Sequence, residues 1–288
     1  MTEFLQQGIN GLLLGGMYAL MALGLTLMFG IMRIVNFAYG TLYMAGGFVT
    51  YFFTSSAGMS FFPALLCAIV AMAIVATVLE QAIFAPLRHS EERTILAGLG
   101  LLLLGRGVII QLFGSETREL PIPLQGRFNF GQIVVSQQRL LTFGIALAVI
   151  AAVWWVVSRT RSGSIARAVS DDEMRAELLG VDAKLVYTFV FALSTGLVVI
   201  AAALLSTSFG VVPTVDDLAL VTSFSIVVLG GLGSIPGALV GGLAIGLVNT
   251  LGTQYLSQTY APMYPYVLLL LVLLVRPQGL FGHREREV

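Results

Sequence analysis

The sequence predicts an all-α fold, a polytopic transmembrane helical bundle of about 8–9 spans with one short helix in a polar cytoplasmic loop. Three observations carry that expectation. Apolar residues make up 57% of the 288 residues and charged residues only 10%, against roughly 25% charged in soluble domains. The apolar residues gather into runs of about 17–25, the length a helix needs to cross a hydrocarbon core of ~30 Å. The basic residues are shared unequally between alternate connections, which assigns an orientation.

The first span, Leu5–Ile31, follows a start that lacks the basic n-region of a signal peptide. Its apolar run is also too long for an h-region, so it is expected to be retained. Asn36–Phe53, Phe61–Ile83 and Thr94–Phe113 come next. The external loop 114–139 carries Pro121, Ile122, Pro123, Gly126, Asn129 and Gly131. Those residues favour turns and short extended pieces, and predict a compact cap. Leu140–Val157 leads into a polar island, Ser158–Lys184, and the spans resume as Leu185–Thr207, Leu218–Leu232, Pro236–Leu256 and Pro262–Val275. Asn36–Phe53 opens on polar residues and Leu218–Leu232 runs into glycines, so each is open to being a half-helix or re-entrant segment. A bilayer tolerates such backbone only where protein buries it or water reaches it. The whole chain, 1–288, reads as a single membrane domain.

With the N-terminus outside and the C-terminus in the cytoplasm, the cytoplasmic segments hold Arg33, Arg88, Arg93, Arg159, Arg161, Arg167, Arg175, Lys184, Arg276, Arg284 and Arg286. Outside lie Arg118, Arg127 and Arg139, and Arg106 falls within a span. Eleven against three sets the direction and puts the polar island in the cytoplasm.

The island has local structure written in it. Ser170-Asp171-Asp172-Glu173 fits a capping box, in which the Ser170 hydroxyl and the Glu173 carboxylate each accept from the other's backbone N–H. A helix then runs from Met174 to Leu179 and stops at Gly180, a residue suited to the left-handed position after a helix end. A short turn, Ser164–Val169, precedes it, and Ala176 and Leu179 are expected on the presented face. A helix this short is marginal alone in water, so something must hold it. Chemistry alone leaves two readings: a coupling helix gripped by a cytosolic motor, or an amphipathic helix resting on lipid headgroups.

The motifs favour the first. Gly163-Ser164-Ile165-Ala166-Arg167-Ala168-Val169, followed by Ala176 and Leu178-Leu179-Gly180-Val181, resembles the coupling segment of the ABC-type branched-chain amino acid permeases. Val35-Asn36-Phe37-Ala38-Tyr39-Gly40 resembles that family's stretch after the first span, with Tyr39 where many relatives carry His. The glycine motif from Val228 to Ala238 and the tail Arg276-Pro277-Gln278-Gly279-Leu280-Phe281-Gly282 follow in register. The resemblance implies an inner-membrane permease without a cofactor or enzymatic site of its own. It implies a second, homologous permease as partner (commonly a different chain), two cytosolic ATP-binding subunits and an external solute-binding protein, with no nucleic acid. ATPase coupling would then rest on Gly163, Ser164, Arg167, Ala168, Asp171, Glu173, Ala176, Leu179 and Gly180. Cargo is expected to be branched-chain amino acids; urea or amides, aromatic acids and sugars are the alternatives, and an ion-coupled carrier is the rival mechanism.

Polar residues inside the membrane default to functional candidates because lipid tolerates them poorly. Asn36 and Asn249 are placed on the translocation pathway, with helix-to-helix hydrogen bonding as the other reading of each. Phe37, Tyr39, Gly40 and Tyr43 are placed beside Asn36. Arg106 is expected to snorkel outward or meet carbonyls, and Glu80, near a span end, to reach water or Arg88. Glu80 is the only carboxylate read as close to the membrane interior, which disfavours ion coupling. Gly230, Gly231, Gly233, Pro236, Gly237 and Gly241 mark a break between two spans, open to static packing or to sliding. Small residues four apart, Gly11 with Gly15 and Gly242 with Gly246, allow close helix approach. No GxxxxGK[ST] loop occurs, so the chain cannot hold ATP in the P-loop manner. Cys67 is the one cysteine, and His89 and His283 are the only histidines, so neither a disulfide framework nor a metal constellation is expected.

Overall fold

The apolar runs become helices in the expected order. α1 (Thr2–Leu27) continues through a π-helical turn, Met28–Met32, and α2 spans Tyr39–Ser55. α3 (Phe61–Leu79) passes through a second π turn, Glu80–Phe84, into a last turn, α4 (Ala85–Leu87). α5 (Glu91–Phe113) and α6 (Gln137–Arg159) flank the loop 114–136. α7 (Arg161–Asp171) and α8 (Glu173–Leu178) form the polar island. α9 (Ala183–Phe209), α10 (Val215–Gly230), α11 (Ile235–Tyr255) and α12 (Tyr264–Val275) complete the chain. The computed structural model describes residues 2–282 apart from 35, 89, 122, 125, 131, 132 and 277. Val35, His89, Ile122, Gly131, Pro277, His283, Arg284 and Arg286, named above, lie outside the described residues.

Six of these helices, α1 with its π turn, α3 with its extension, α5, α6, α9 and α11, are long and apolar enough to cross a membrane. α2, α10 and α12 are apolar but have 17, 16 and 12 residues. At 1.5 Å per residue even α2 reaches only about 26 Å, short of a ~30 Å core. The loop between α5 and α6 contributes a small antiparallel hairpin, β1 (Arg127–Phe130) with β2 (Ile133–Ser136), and Arg118 of the same loop bridges to Val211. The bundle therefore has a hairpin end and, opposite, an end carrying α7 and α8.

α1 and α9 are the most buried of the long helices, with α3, α5 and α6 around them. The small residues explain how α11 comes so near α1. A Cβ on Gly15 would lie 2.7 Å from Leu243 Cα, and one on Gly242 would lie 2.5 Å from the Ala19 N atom. A Cβ on Gly246 would lie 2.3 Å from Gly15 Cα and one on Gly11 3.0 Å from Leu247 Cα, so the two glycine pairs interlock across one interface. Without side chains in the way, dispersion contacts between backbones replace the hydrophobic drive that lipid removes.

Candidate functional site

Both short inner helices begin inside the bundle. After the first π turn Arg33 adopts a left-handed backbone, φ 53°, and the chain turns back inward. Asn36, almost fully buried, uses its Oδ1 to accept from the Ala38 N–H at 2.9 Å, while its Nδ2 sits 3.4 Å from Met28 Sδ. Its amide thereby serves the break itself. Tyr39 opens α2, is fully buried, and donates its hydroxyl to the Met21 carbonyl of α1. Thr41 donates to the Leu102 carbonyl, midway along α5, at 3.2 Å. From there α2 runs to the hairpin end, where Phe48 packs on Phe113.

α10 starts at the same level and runs the opposite way. Asp216, in its first turn, has no exposed surface, and Arg106 of α5 grips it with two bonds: Nε to Oδ2 at 2.8 Å and Nη2 to Oδ1 at 2.7 Å. Asp217 adds an oxygen 2.5 Å from the same Nη2. This corrects two expectations. Arg106 neither snorkels nor meets a carbonyl cluster, and Glu80 is not the only interior carboxylate. A guanidinium in the apolar interior is costly unless paired, and the acids at a helix N-terminus are themselves favoured by its dipole. Gly40 lies beneath the start of α10, where a Cβ would crowd the Asp216 carbonyl and come within 3.1 Å of Leu220 Cβ. Two helix N-termini therefore meet within the bundle, that of α10 gripped by Arg106 and that of α2 tied to the same helix α5 through Thr41.

Two neighbouring cavities share wall residues, and the inner one lies beside this meeting point. The outer one, about 510 Å³ at the hairpin end, is walled by polar groups including Gln7, Asn10, Arg139, Asn249, Thr253 and Gln254. Tyr18 and Phe209 belong to both it and an inner chamber of about 280 Å³. The chamber is mostly apolar, with Met21, Tyr43, Leu205, Val215, Leu218 and Ala219 in its wall. Asn249 Nδ2 donates to the Tyr18 hydroxyl at 3.2 Å, so this asparagine helps to build the neck. Of the residues placed on the pathway from sequence, Tyr43 and Asn249 line these cavities. Asn36, Phe37, Tyr39 and Gly40 line neither; they pack the break behind the chamber. Nothing in the sequence marks Tyr18, Phe209 and Arg139, because a lone aromatic within a span, or a lone aromatic or basic residue beside its end, carries no periodic signal.

The polar island differs from the expected single helix. Ser164–Val169 is not a turn: it lies within the eleven-residue α7, which Thr160 caps by accepting from the Gly163 N–H at 3.2 Å. Ser170 makes no capping box. Its hydroxyl donates to the Gly30 carbonyl at 2.7 Å, and Asp172 caps α8 instead, accepting from the Arg175 N–H at 3.0 Å. The reason is steric: Ser170 is still helical in α7, and only Asp172 has the extended backbone an N-cap needs. Ala176 is buried at 2% exposure rather than presented, whereas Leu178 and Leu179 are 82% and 84% exposed. Gly163 is buried, with its backbone against Val156 and Val157. Arg167 donates to the Val157 carbonyl and to Ser164 Oγ, and Ala168 is exposed. Asp171 and Glu173 line a cavity of about 420 Å³ together with Arg33 and Arg88. Gly180 takes φ +84°, as a helix-ending glycine does. Glu80 is buried, paired with Arg88, and accepts from Thr188 Oγ1 at 2.6 Å, so it ties α3 to α9 instead of reaching water.

The glycine break joins this end to the bundle. Gly230 and Gly237 are in backbone contact, and Gly231 and Gly233 have φ of +98° and +78°. Ser234 caps α11 by accepting from the Gly237 N–H at 3.1 Å, with Pro236 in the first turn. A Cβ on Gly241 would lie 2.9 Å from the Ile226 carbonyl oxygen. The tail closes the C-terminus of α10: the N–H groups of Leu280 and Phe281 donate to Leu229 and Gly230 at 2.8 and 3.0 Å. Gly30 touches both partners, since Ser170 bonds its carbonyl and a Cβ there would lie 2.9 Å from Gly233 Cα. α7, the end of α1 and the glycine break thus meet at one residue.

Comparison with known proteins agrees with this architecture. Residues 8–276 match the family model described as the permease component of the branched-chain amino acid transport system. The chain is 32% identical to the high-affinity branched-chain amino acid transport system permease protein BraD of Pseudomonas aeruginosa, over 99% of this chain and 98% of that one. It is 31% identical to the corresponding protein LivH of Escherichia coli, over 99% and 97%. Among solved structures, PsaBC from Streptococcus pneumoniae in complex with Fab shares the fold at a TM-score of 0.56 and 14% identity, covering 96% of this chain and 92% of that one. The chain belongs to the family of permease components of branched-chain amino acid transport systems.

Proposed function

We propose that this chain is the membrane-embedded permease of an ATP-driven importer for branched-chain amino acids. The observation that carries the reading is the graded route at the hairpin end. A polar vestibule and an apolar chamber lie on either side of Tyr18 and Phe209, an order of surfaces suited to an amphiphilic solute with a charged head and a branched aliphatic tail. The names of the relatives point to the same cargo. The hairpin end faces outward and receives solute from a binding protein, while α7 and α8 face the cytoplasm, in accord with the arginine asymmetry. There the exposed Met174, Leu178 and Leu179 offer an apolar knob, edged by Arg175 and Glu177, for an ATP-hydrolysing partner. A second, homologous permease completes the membrane unit, and the resemblance favours a different chain over a second copy. The Arg106 pairing of Asp216 supports ATP rather than ion coupling, because the interior carboxylate is already neutralised.

Co-expression with the partner subunits and reconstitution in vesicles tests the reading. ATP and the binding protein together are expected to drive leucine accumulation. Arg167→Glu or Gly180→Pro is expected to abolish it while membrane insertion persists. Unchanged coupling in both variants, or uptake driven by a proton or sodium gradient without ATP, contradicts the proposal.

A further inference from the structure

Positive charge is scarce at the hairpin end, with Arg118, Arg127 and Arg139 as the basic residues expected there. Arg118 is used structurally: it donates to the Phe113 carbonyl at 3.2 Å and lies over the Tyr51 ring. The other two are not. Arg139 has one long bond, 3.5 Å to Asn10 Oδ1, and none of the described carboxylates lies within 4 Å of it or of Arg127. Arg139 lines the outer vestibule of about 510 Å³ and, with Arg127, an adjoining groove of about 690 Å³. Among the described residues no acidic one lines either space. A second feature of the groove is Gln138, 3% exposed, whose Nε2 donates to Thr207 Oγ1 at 3.0 Å while its Oε1 has no partner.

We infer that the outer vestibule is a carboxylate-binding site, with the Arg139 guanidinium as its anchor and Arg127 on the hairpin as an outer attractor. The inference rests on the import reading and names the part of the cargo recognised first. Fixed positive groups in a low-dielectric recess concentrate anions, and the planar guanidinium fork matches a carboxylate with two parallel bonds. A vestibule of this size falls within the range of small-molecule sites. Arg139 exchanges its long bond to Asn10 for the ligand, which frees Asn10 Oδ1 to accept from an ammonium group. The aliphatic tail then points to the Tyr18–Phe209 neck.

The test uses the complete transporter in nanodiscs, without binding protein, and follows thermal unfolding with millimolar L-leucine, 4-methylpentanoate or L-leucinol. Leucine and 4-methylpentanoate keep the carboxylate and are expected to raise the Tm; leucinol lacks it and is expected not to. Arg139→Gln is expected to weaken the apparent affinity for both carboxylates by about tenfold or more, as loss of a hydrogen bond to a charged group does. Arg139→Lys should retain part of it, and Arg127→Gln should cost less. Protection by leucinol equal to that by leucine, or an unchanged leucine response in a folded Arg139→Gln protein, overturns the inference. So does an Arg139→Gln effect confined to the binding-protein concentration that half-saturates ATPase stimulation, which would make Arg139 a protein-docking residue. Wild-type leucine uptake separates the two levels: its absence defeats the import reading, whereas the comparison of carboxylates with the alcohol still decides the site.

Discussion

Removing Arg106 is the perturbation with the sharpest expected signature. Asp216 has no exposed side-chain surface, whereas Arg106 is 26% and Asp217 62% exposed. Arg106→Met strands a fully buried carboxylate, and breaking a buried pair from one side costs about 3–5 kcal/mol. Asp216→Asn leaves the arginine its bond to Asp217 and some access to water, so the loss should be smaller, about 1–3 kcal/mol. Asp217→Asn touches an exposed partner and should cost no more than about 1 kcal/mol. The double variant Arg106→Met with Asp216→Asn removes both charges and should recover about 2 kcal/mol relative to additivity. Unfolding of the purified protein in detergent, followed by circular dichroism across a denaturant series, gives all four values. An order in which Asp216→Asn is as mild as Asp217→Asn, or strict additivity in the double variant, would refute the claim that Arg106 anchors the start of α10.

Gly246→Ala should destabilise the fold by about 1–3 kcal/mol, because its Cβ enters the Gly15 backbone of α1, whereas Gly8→Ala, with open space around it, should be neutral or slightly stabilising; the same unfolding assay compares them. Ser170→Ala removes the bond to the Gly30 carbonyl and should cost only about 1 kcal/mol of stability, yet lower leucine uptake per ATP hydrolysed severalfold, read in vesicles by paired uptake and phosphate release. Deleting the tail from Gln278 onward frees the Leu229 and Gly230 carbonyls and should lower stability by about 1–2 kcal/mol, read as a fall in Tm.

The long helices were legible because each is a largely apolar run, and the bilayer length constraint leaves a chain like this few other folds. The two short inner helices were legible as exceptions: Asn36 opens one on a polar group and the glycines after Val228 close the other. What pairs with what was not. Arg106 and Asp216 stand 110 residues apart, and nothing local to either announces the other. Asp216-Asp217 escaped notice because acids ahead of an apolar run look like loop, although they equally suit a helix N-terminus. In the polar island, Ser170 matched a capping pattern but is still helical in α7, so the extended Asp172 caps α8 and the Ser170 hydroxyl goes to the Gly30 carbonyl. The glycines were readable as close-packing residues, but their partners emerged only when α1 and α11 were set side by side.

On the proposed function, ATP hydrolysed outside this chain moves solute through it by way of α7 and α8. Leucine accumulation in vesicles holding the complete transporter, with ATP on the α7–α8 side and binding protein on the hairpin side, measures that directly. The account predicts accumulation that requires both and disappears in a folded Arg167→Glu variant. Accumulation by the permease alone, or only with ATP on the hairpin side, contradicts it.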